Sequence, residues 1–379
     1  MKRLRASAAQ PIGAVDRRGQ PEFRMPRAGR CHDGRVTDDA APLPSLDELL
    51  PTARVVALPL VTRFRGIDVR EAMLFEGPEG WTEFSPFAEY DDDEASAWLA
   101  AAIDYGWNAP PPALRDRIPV NATVPAVDPD SVRAVLARFP GCRTAKVKVA
   151  SGDETLAADV ARVRAVREAL GPEGRIRVDA NGGWNVDEAE HAIHALAEFD
   201  LEYVEQPCAS IEELAEIRRR VKYMGIPIAA DESVRRADDP LAVAAAGAAD
   251  LLVIKAQPLG GIRRALDVID RAGLPVVISS ALDTSVGLAM GAALAASVAD
   301  LEYDCGLGTA SLLAADVAVS PLLPVDGAIP IGRVQVDPTA LDRFAASEER
   351  TDWWLERLAH CHAVLGRDAS AEREAPDEA

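Results

Sequence analysis

Between residues 146 and 280, polar and charged side chains recur at the ends of short apolar runs: Lys146 and Lys148, Asp179 and Asn181, Glu205, Asp231 and Glu232, Lys255, then Ser279 and Ser280. The interval from Asp179 to Glu205 is 26 residues, from Glu205 to Asp231 again 26, and from Asp231 to Lys255 it is 24. One such residue alone is commonly the cap of a following helix. A series in register points instead to a single mouth at which successive strands end. Three carboxylates brought there by Asp179, Glu205 and Asp231 repel one another unless a cation lies between them, and hard oxygen donors suit Mg²⁺ better than a softer metal. Lysines flank the triad in sequence. Beside a divalent cation and each other their ammonium forms are disfavoured, and a neutral lysine near pH 7 is a competent general base. The chemistry such a set performs is removal of a weakly acidic proton next to a carboxylate of a small-molecule substrate. The metal stabilises the resulting enediolate while lysine moves the proton.

Those residues need elements to position them. Short apolar strands are expected at 120–124, 145–149, 176–180, 203–205, 228–230, 251–254, 276–279 and 301–303. Between them, 131–139, 155–170, 186–199, 211–224, 262–272 and 286–298 have helical period and length. Alternation on this scale predicts a modified (β/α)8-type barrel, whose active sites lie at the C-terminal ends of the strands. A doubly wound sheet uses the same units but wants a Gly-rich loop after its first strand. After Val124 the chain runs Pro125-Ala126-Val127-Asp128-Pro129 instead.

The rest of the chain organises around that barrel, expected at 119–320. Residues 54–84 alternate β-rich runs with Gly66 and Gly77-Pro78-Glu79-Gly80, which reads as a small antiparallel sheet, and 94–105 as a helix. Together, 53–118 and 321–365 are expected to form an α+β capping domain, with Asp352-Trp353-Trp354-Leu355 packing back on the sheet. Residues 1–42 lack periodicity and read as a disordered extension, and 369–379 as a frayed acidic tail. A formal charge of −20 argues against a nucleic-acid or anionic-membrane partner, and no apolar run is long enough for a membrane helix. Five scattered cysteines without a CxxC pair suggest neither a disulfide framework nor a zinc site, in keeping with a reducing cytoplasm.

Lys146-Val147-Lys148, Val178-Asp179-Ala180-Asn181, Val204-Glu205-Gln206-Pro207, Ala230-Asp231-Glu232-Ser233 and Ile254-Lys255 resemble the muconate-cycloisomerase-like branch of the enolase superfamily over roughly 54–362. Residues 120–125, 279–287 and 304–309 are most similar to the o-succinylbenzoate synthases of that branch, the dehydratases of menaquinone biosynthesis. The resemblance implies that Lys148 is the acid/base and that Asp179, Glu205 and Asp231 hold Mg²⁺. It makes Lys255 the cation on the other side of the substrate, and Lys146, Asn181 and Glu232 the partners that orient and tune them. N-acylamino acid racemases and dipeptide epimerases keep the same set and stand as the alternative; a catalytically silent binding barrel would not require three adjacent carboxylates.

Ser279 and Ser280, after the seventh strand, are candidates to hold a substrate carboxylate. Arg65 or Arg63, from the capping domain, could meet a second one. The pairs His191 with His194 and His360 with His362 lie away from the strand ends, and Gly306-Leu307-Gly308-Thr309 reads equally as a phosphate cradle or a plain backbone bend.

Overall fold

The computed structural model describes residues 43–374 apart from 153 and 236–238, with only the backbone given over 368–374. The expected extension over 1–42 lies outside the described residues. At the other end, the final helix runs Glu348–Glu374, so helix continues where a frayed tail was expected from 369.

Seven parallel strands make the central sheet: Ala122–Val124, Thr144–Lys148, Arg175–Asp179, Leu201–Glu205, Ile228–Ala230, Leu251–Ile254 and Val276–Ile278, each beside its sequence neighbour. The eighth element differs from expectation. Residues 301–303 form no strand; closure comes at Cys305 and Gly306, through parallel bridges to Val120 and Ser279 respectively. The Cys305 N–H donates to Pro119 O, Asn121 N–H to Cys305 O, and Gly306 N–H to Ile278 O. Gly306 is needed for that approach, since a Cβ there would lie 2.4 Å from Ser279 Oγ. The apolar triplet over 301–303 marked the neighbourhood, but the backbone that actually pairs follows Asp304.

Alternation along each strand sorts the side chains into layers. Tyr203, Ala229, Leu251, Val253 and Val277 form one apolar cluster. Two residues further along their strands come Glu205, Asp231, Lys255 and Ser279, at the mouth. In the lower layer Arg177 is fully buried and ties the barrel together. Its Nε donates to Glu202 Oε2 (2.6 Å), and its Nη1 to Asp304 O (2.7 Å), Tyr203 OH (3.1 Å) and Asn121 Oδ1 (3.3 Å).

Over this barrel lies an antiparallel sheet of Arg54–Phe64, Ile67–Gly77 and Gly80–Phe84, with the helix Asp92–Trp107. Asp91 caps that helix by accepting from Glu94 N–H (2.8 Å). The final helix docks where the tryptophan pair suggested: Trp354 meets Phe84 edge-on at 5.7 Å and donates its indole N–H to Glu71 Oε2 (2.9 Å), which Arg350 also engages. A two-stranded ribbon, Arg117–Pro119 with Ala328–Pro330, joins the chain on either side of the barrel.

Replacing Arg177 by Met should cost about 3–5 kcal/mol, because Glu202 and the Asp304 carbonyl lose a buried cation that spans the barrel floor. Urea unfolding should show the midpoint falling with an unchanged slope; a wild-type midpoint would mean that the floor contributes nothing to closure.

Candidate active site

Strand register brings the reactive side chains into a row. Lys148 pairs with Asp179 across the second and third strands, and Asp179 with Glu205 across the third and fourth. Lys148 Nζ donates to Asp179 Oδ2 and, at 2.8 Å, to Asn181 Oδ1. Lys146 Nζ lies between Glu205 Oε1 (2.7 Å) and Asp179 Oδ2 (3.1 Å). Beyond them Lys255 Nζ reaches Asp231 Oδ2 at 2.5 Å, and Asn181 Nδ2 donates to Glu232 Oε1 at 3.2 Å. Behind Lys148, the buried Arg162 of helix Leu156–Leu170 donates to Lys148 O (2.9 Å) and Val127 O (2.8 Å), fixing that strand end. Four residues other than glycine leave the mouth in the left-handed region: Ala150, Asn181, Gln206 and Leu282. Such conformations cost energy that surrounding contacts must offset.

Burial and charge divide the carboxylates. Burial alone would push Asp179 up, but the Lys148 and Lys146 ammoniums hold it well below the usual carboxylate range. Asp231 behaves likewise: against burial, Lys255 and Arg235 bring it down to about 2. Glu205 goes the other way, pushed up to about 7 by burial and then by the charge of Asp179, and its Oε2 is buried with no hydrogen-bond partner. Burial lowers Lys255. At Lys146 burial opposes the charge, but Glu205 and Asp179 raise it well above the ordinary value. Among the described residues no three acidic, histidine or cysteine side chains meet at one ion-sized point. The lysine ammoniums provide the nearest positive charge to each carboxylate.

The cavity over this row takes lining from both domains. Phe64 and Arg65 come from the cap; Lys146, Lys148, Asp179, Asp231, Glu232 and Lys255 come from the barrel, with Ser279 to Leu282 at one end. Arg65 stacks on Phe87 at 4.2 Å from the ring centre. Arg63 lines only the outer groove and pairs with Asp68 in solvent. Ser279 and Ser280 both line the cavity, but Ser280 Oγ is committed to Gly306 O (2.7 Å) and Thr309 Oγ1 (2.8 Å). The histidines serve elsewhere: His194 meets Tyr223, His360 meets Asp92, and His362 meets Pro44 O.

Several contributors escaped the sequence reading. Arg235 holds Asp231 Oδ1 (3.2 Å) and Glu232 Oε1 (2.6 Å), and also meets Tyr90 OH of the cap (3.1 Å). Its spacing of three and four residues from those acids on one helical turn was the available signal. Gln206 accepts from Asp231 N–H through Oε1 (2.9 Å). From the cap, Arg70 Nε donates to Leu282 O (3.1 Å), holding the left-handed turn beside the cavity. Glu83 Oε2 accepts from Thr284 Oγ1 (2.6 Å), Gly287 N–H (2.9 Å) and Thr284 N–H (3.1 Å), capping helix Ser285–Ser297. Charged residues inside apolar strands were the sole hint of these two.

A seven-stranded parallel barrel closed by bridges at Cys305 and Gly306, with lysines and carboxylates on successive strand ends beneath an α+β cap, defines an enolase-type enzyme. Models of the enolase N-terminal domain-like and C-terminal domain-like families match residues 55–106 and 130–335. An o-succinylbenzoate synthase of Mycobacterium ulcerans is 55% identical over 324 residues, 85% of this chain and 97% of that protein. One from Mycolicibacterium smegmatis is 53% identical over 85% of this chain and 99% of its own length. The muconate lactonizing enzyme of Pseudomonas putida superposes with a TM-score of 0.63 at 20% identity, covering 78% of this chain and 98% of that one, a likeness of fold. The chain belongs to the enolase superfamily and, within it, to the o-succinylbenzoate synthase family.

Burial, and then Asp283, push Glu83 up to about 7 from an ordinary 4.5. Between those values the folded chain holds a proton that the unfolded chain releases. The associated stability is therefore fully present below about pH 4.5 and is lost as pH rises through about 7. Urea midpoints from pH 4.5 to 8 should fall more steeply for the wild type than for Glu83→Gln; identical profiles would remove Glu83 as the titrating group.

Proposed function

We propose that this chain is an o-succinylbenzoate synthase, a lyase that removes water from 2-succinyl-6-hydroxy-2,4-cyclohexadiene-1-carboxylate in menaquinone biosynthesis. The observation that carries the reading is one cavity lined by two separately anchored lysines. Lys148 stands on Asp179 and Asn181, and Lys255 on Asp231. The substrate class, a small carboxylate, agrees with a mouth that offers Lys146, Lys148, Lys255 and Arg65. The relatives' name, o-succinylbenzoate synthase, supports an acyl-substituted ring acid as its occupant.

The superfamily implies a divalent metal, and the chemistry of the donors fits one, although Asp179, Glu205 and Asp231 are drawn to Lys148, Lys146 and Lys255 here and do not meet at one ion-sized point. Glu205 is a buried carboxylate short of positive charge, with Oε2 unpartnered and its proton affinity raised. Asp179, Glu205 and Asp231 would hold the ion, and an all-oxygen donor set favours Mg²⁺. Bound there, it would supply positive charge to the substrate carboxylate as the adjacent proton leaves. Lys146, Asn181 and Glu232 orient the donors through the hydrogen bonds described above.

The proton steps belong to the chain's own residues. Lys148, an ammonium on Asp179 in the free enzyme, first gives a proton up to solvent; as the free amine it then takes the proton from the ring carbon that bears the carboxylate. The C–H electrons become the new ring double bond as the C–O bond to the 6-hydroxyl breaks. Lys148 returns its proton to that leaving group on the same face, and water departs from a ring now aromatic. Lys255, as the ammonium, faces the developing negative charge from the other side. Ser279, more than the committed Ser280, and Arg65 are positioned to meet the succinyl carboxylate. Four cysteines among the described residues are unpaired and no described helix is long and apolar enough to cross a membrane, in keeping with work in the cytoplasm.

The test is a comparison, with Mg²⁺ present, of the cyclohexadiene acid against N-succinyl amino acids. Rapid formation of o-succinylbenzoate is expected, and Lys148→Ala should lower its kcat by about 10²–10⁴-fold or more. Faster racemisation of the N-succinyl amino acids would favour the racemase alternative, since a lysine on each face equally suits two-base proton exchange. An unimpaired Lys148→Ala enzyme would refute the proton path.

A further inference from the structure

A second, smaller cavity adjoins the substrate cavity and shares Lys255, Ser279 and Ala281 with it; its other lining includes Gln257, Asp283, Gly287 and Gly291. Gln257 stands out. It is 3% exposed, yet neither its amide nitrogen nor its amide oxygen has a hydrogen-bond partner. The Gln257 amide acts on the neighbouring Asp283 carboxyl, lowering it against the effect of burial, but no hydrogen bond of normal geometry joins the two. Asp283 is also buried, and it accepts from Ala281 N–H at 3.2 Å. An amide or carboxylate buried without partners costs about 1–3 kcal/mol for each missing bond, and folded proteins rarely leave one so.

The chain cannot fill the space itself. A Cβ on Gly287 would lie 2.8 Å from Gln257 Nε2, from Asp283 Cβ and from the Glu83 carboxyl carbon, and one on Gly291 would lie 2.7 Å from Leu307 Cδ2. Gly287 of helix Ser285–Ser297 thus leaves the Gln257 amide and Asp283 clear of a side chain, in a pocket whose polar wall consists of an amide, a carboxylate, a hydroxyl and an ammonium. A buried water needs room for about one water-sized sphere, on the order of 10–15 Å³, and two to four polar partners; this cavity offers ≈ 10 Å³, room for one water and no more. Apolar cavities stay dry; this one is polar.

We propose that this pocket binds an ordered water molecule, held by Gln257 and Asp283 and bonded to Lys255, and that Gln257 is a positioning residue for Lys255 through it. Asp231 draws the Lys255 ammonium toward the carboxylate row; the water secures it from a second direction. Without that second tether Lys255 would follow Asp231 alone and lose its aim at the substrate. The hydration site stands on the protein's own geometry, while the catalytic consequence rests on the role given to Lys255 above.

A crystal structure of the full chain with Mg²⁺, at a resolution that shows ordered solvent, should place a water within hydrogen-bond distance of the Gln257 amide. Gln257→Met, close in volume and apolar, should lose it. Its kcat should fall by about tenfold with KM within about twofold and an unchanged urea midpoint, as expected for a group that aims a catalytic one. A dry pocket in the wild type would overturn the site whatever the substrate proves to be. A water present in the wild type and lost from Gln257→Met, with kcat unaltered, would overturn the positioning role. If the variant misfolds, the wild-type density alone decides the site, and Gln257→Leu supplies the kinetic arm.

Discussion

Three carboxylates at the ends of adjacent strands, all buried, cannot share a barrel mouth without positive charge close by. That constraint organises the centre of the molecule. Lys146 answers it for Asp179 and Glu205, Lys148 for Asp179, and Lys255 with Arg235 for Asp231. Glu205 remains the least satisfied, with an unpartnered oxygen and raised proton affinity. An unpaired buried charge is costly, so Glu205 is the point in the row at which further positive charge would be accommodated.

Holding such a set in place asks more than the strands can provide. Strand register aligns Lys148, Asp179 and Glu205, but the loops that follow turn through left-handed residues that need support. Arg162 secures the end of the Lys148 strand, Gln206 the start of the Asp231 turn, and Arg70 the Leu282 turn. Much of this support crosses from cap to barrel. Glu83 caps a barrel helix, and Tyr90 reaches the arginine behind Asp231. The cap itself is fastened by the last helix through the Glu71, Arg350 and Trp354 contacts. Both ends of the described chain therefore bear on the geometry of the mouth.

The intervals of 26, 26 and 24 residues made the row of charged side chains at the mouth legible, because each inward-facing polar residue ends an apolar strand and period-two alternation leaves it little choice of direction. The eighth strand was misplaced because two bridges through Cys305 and Gly306 leave no hydrophobic pattern, whereas 301–303 carry one without pairing. The cap–barrel network was illegible for another reason. Glu83 and Thr284 are separated by 201 residues, and nothing local to either marks the other. Lys146 was seen as a partner, but its bridging position between two carboxylates depends on side-chain geometry that spacing does not encode.

The most direct test of the charge argument is a calorimetric titration of EDTA-treated protein with Mg²⁺, comparing the wild type with Glu205→Gln. The account predicts saturable binding at a single site in the wild type, with a rise in Tm on saturation. Both should disappear in Glu205→Gln while its circular dichroism remains that of the folded chain. Wild-type affinity in Glu205→Gln, or full turnover in excess EDTA, would contradict the claim that the buried carboxylates are built around a divalent cation.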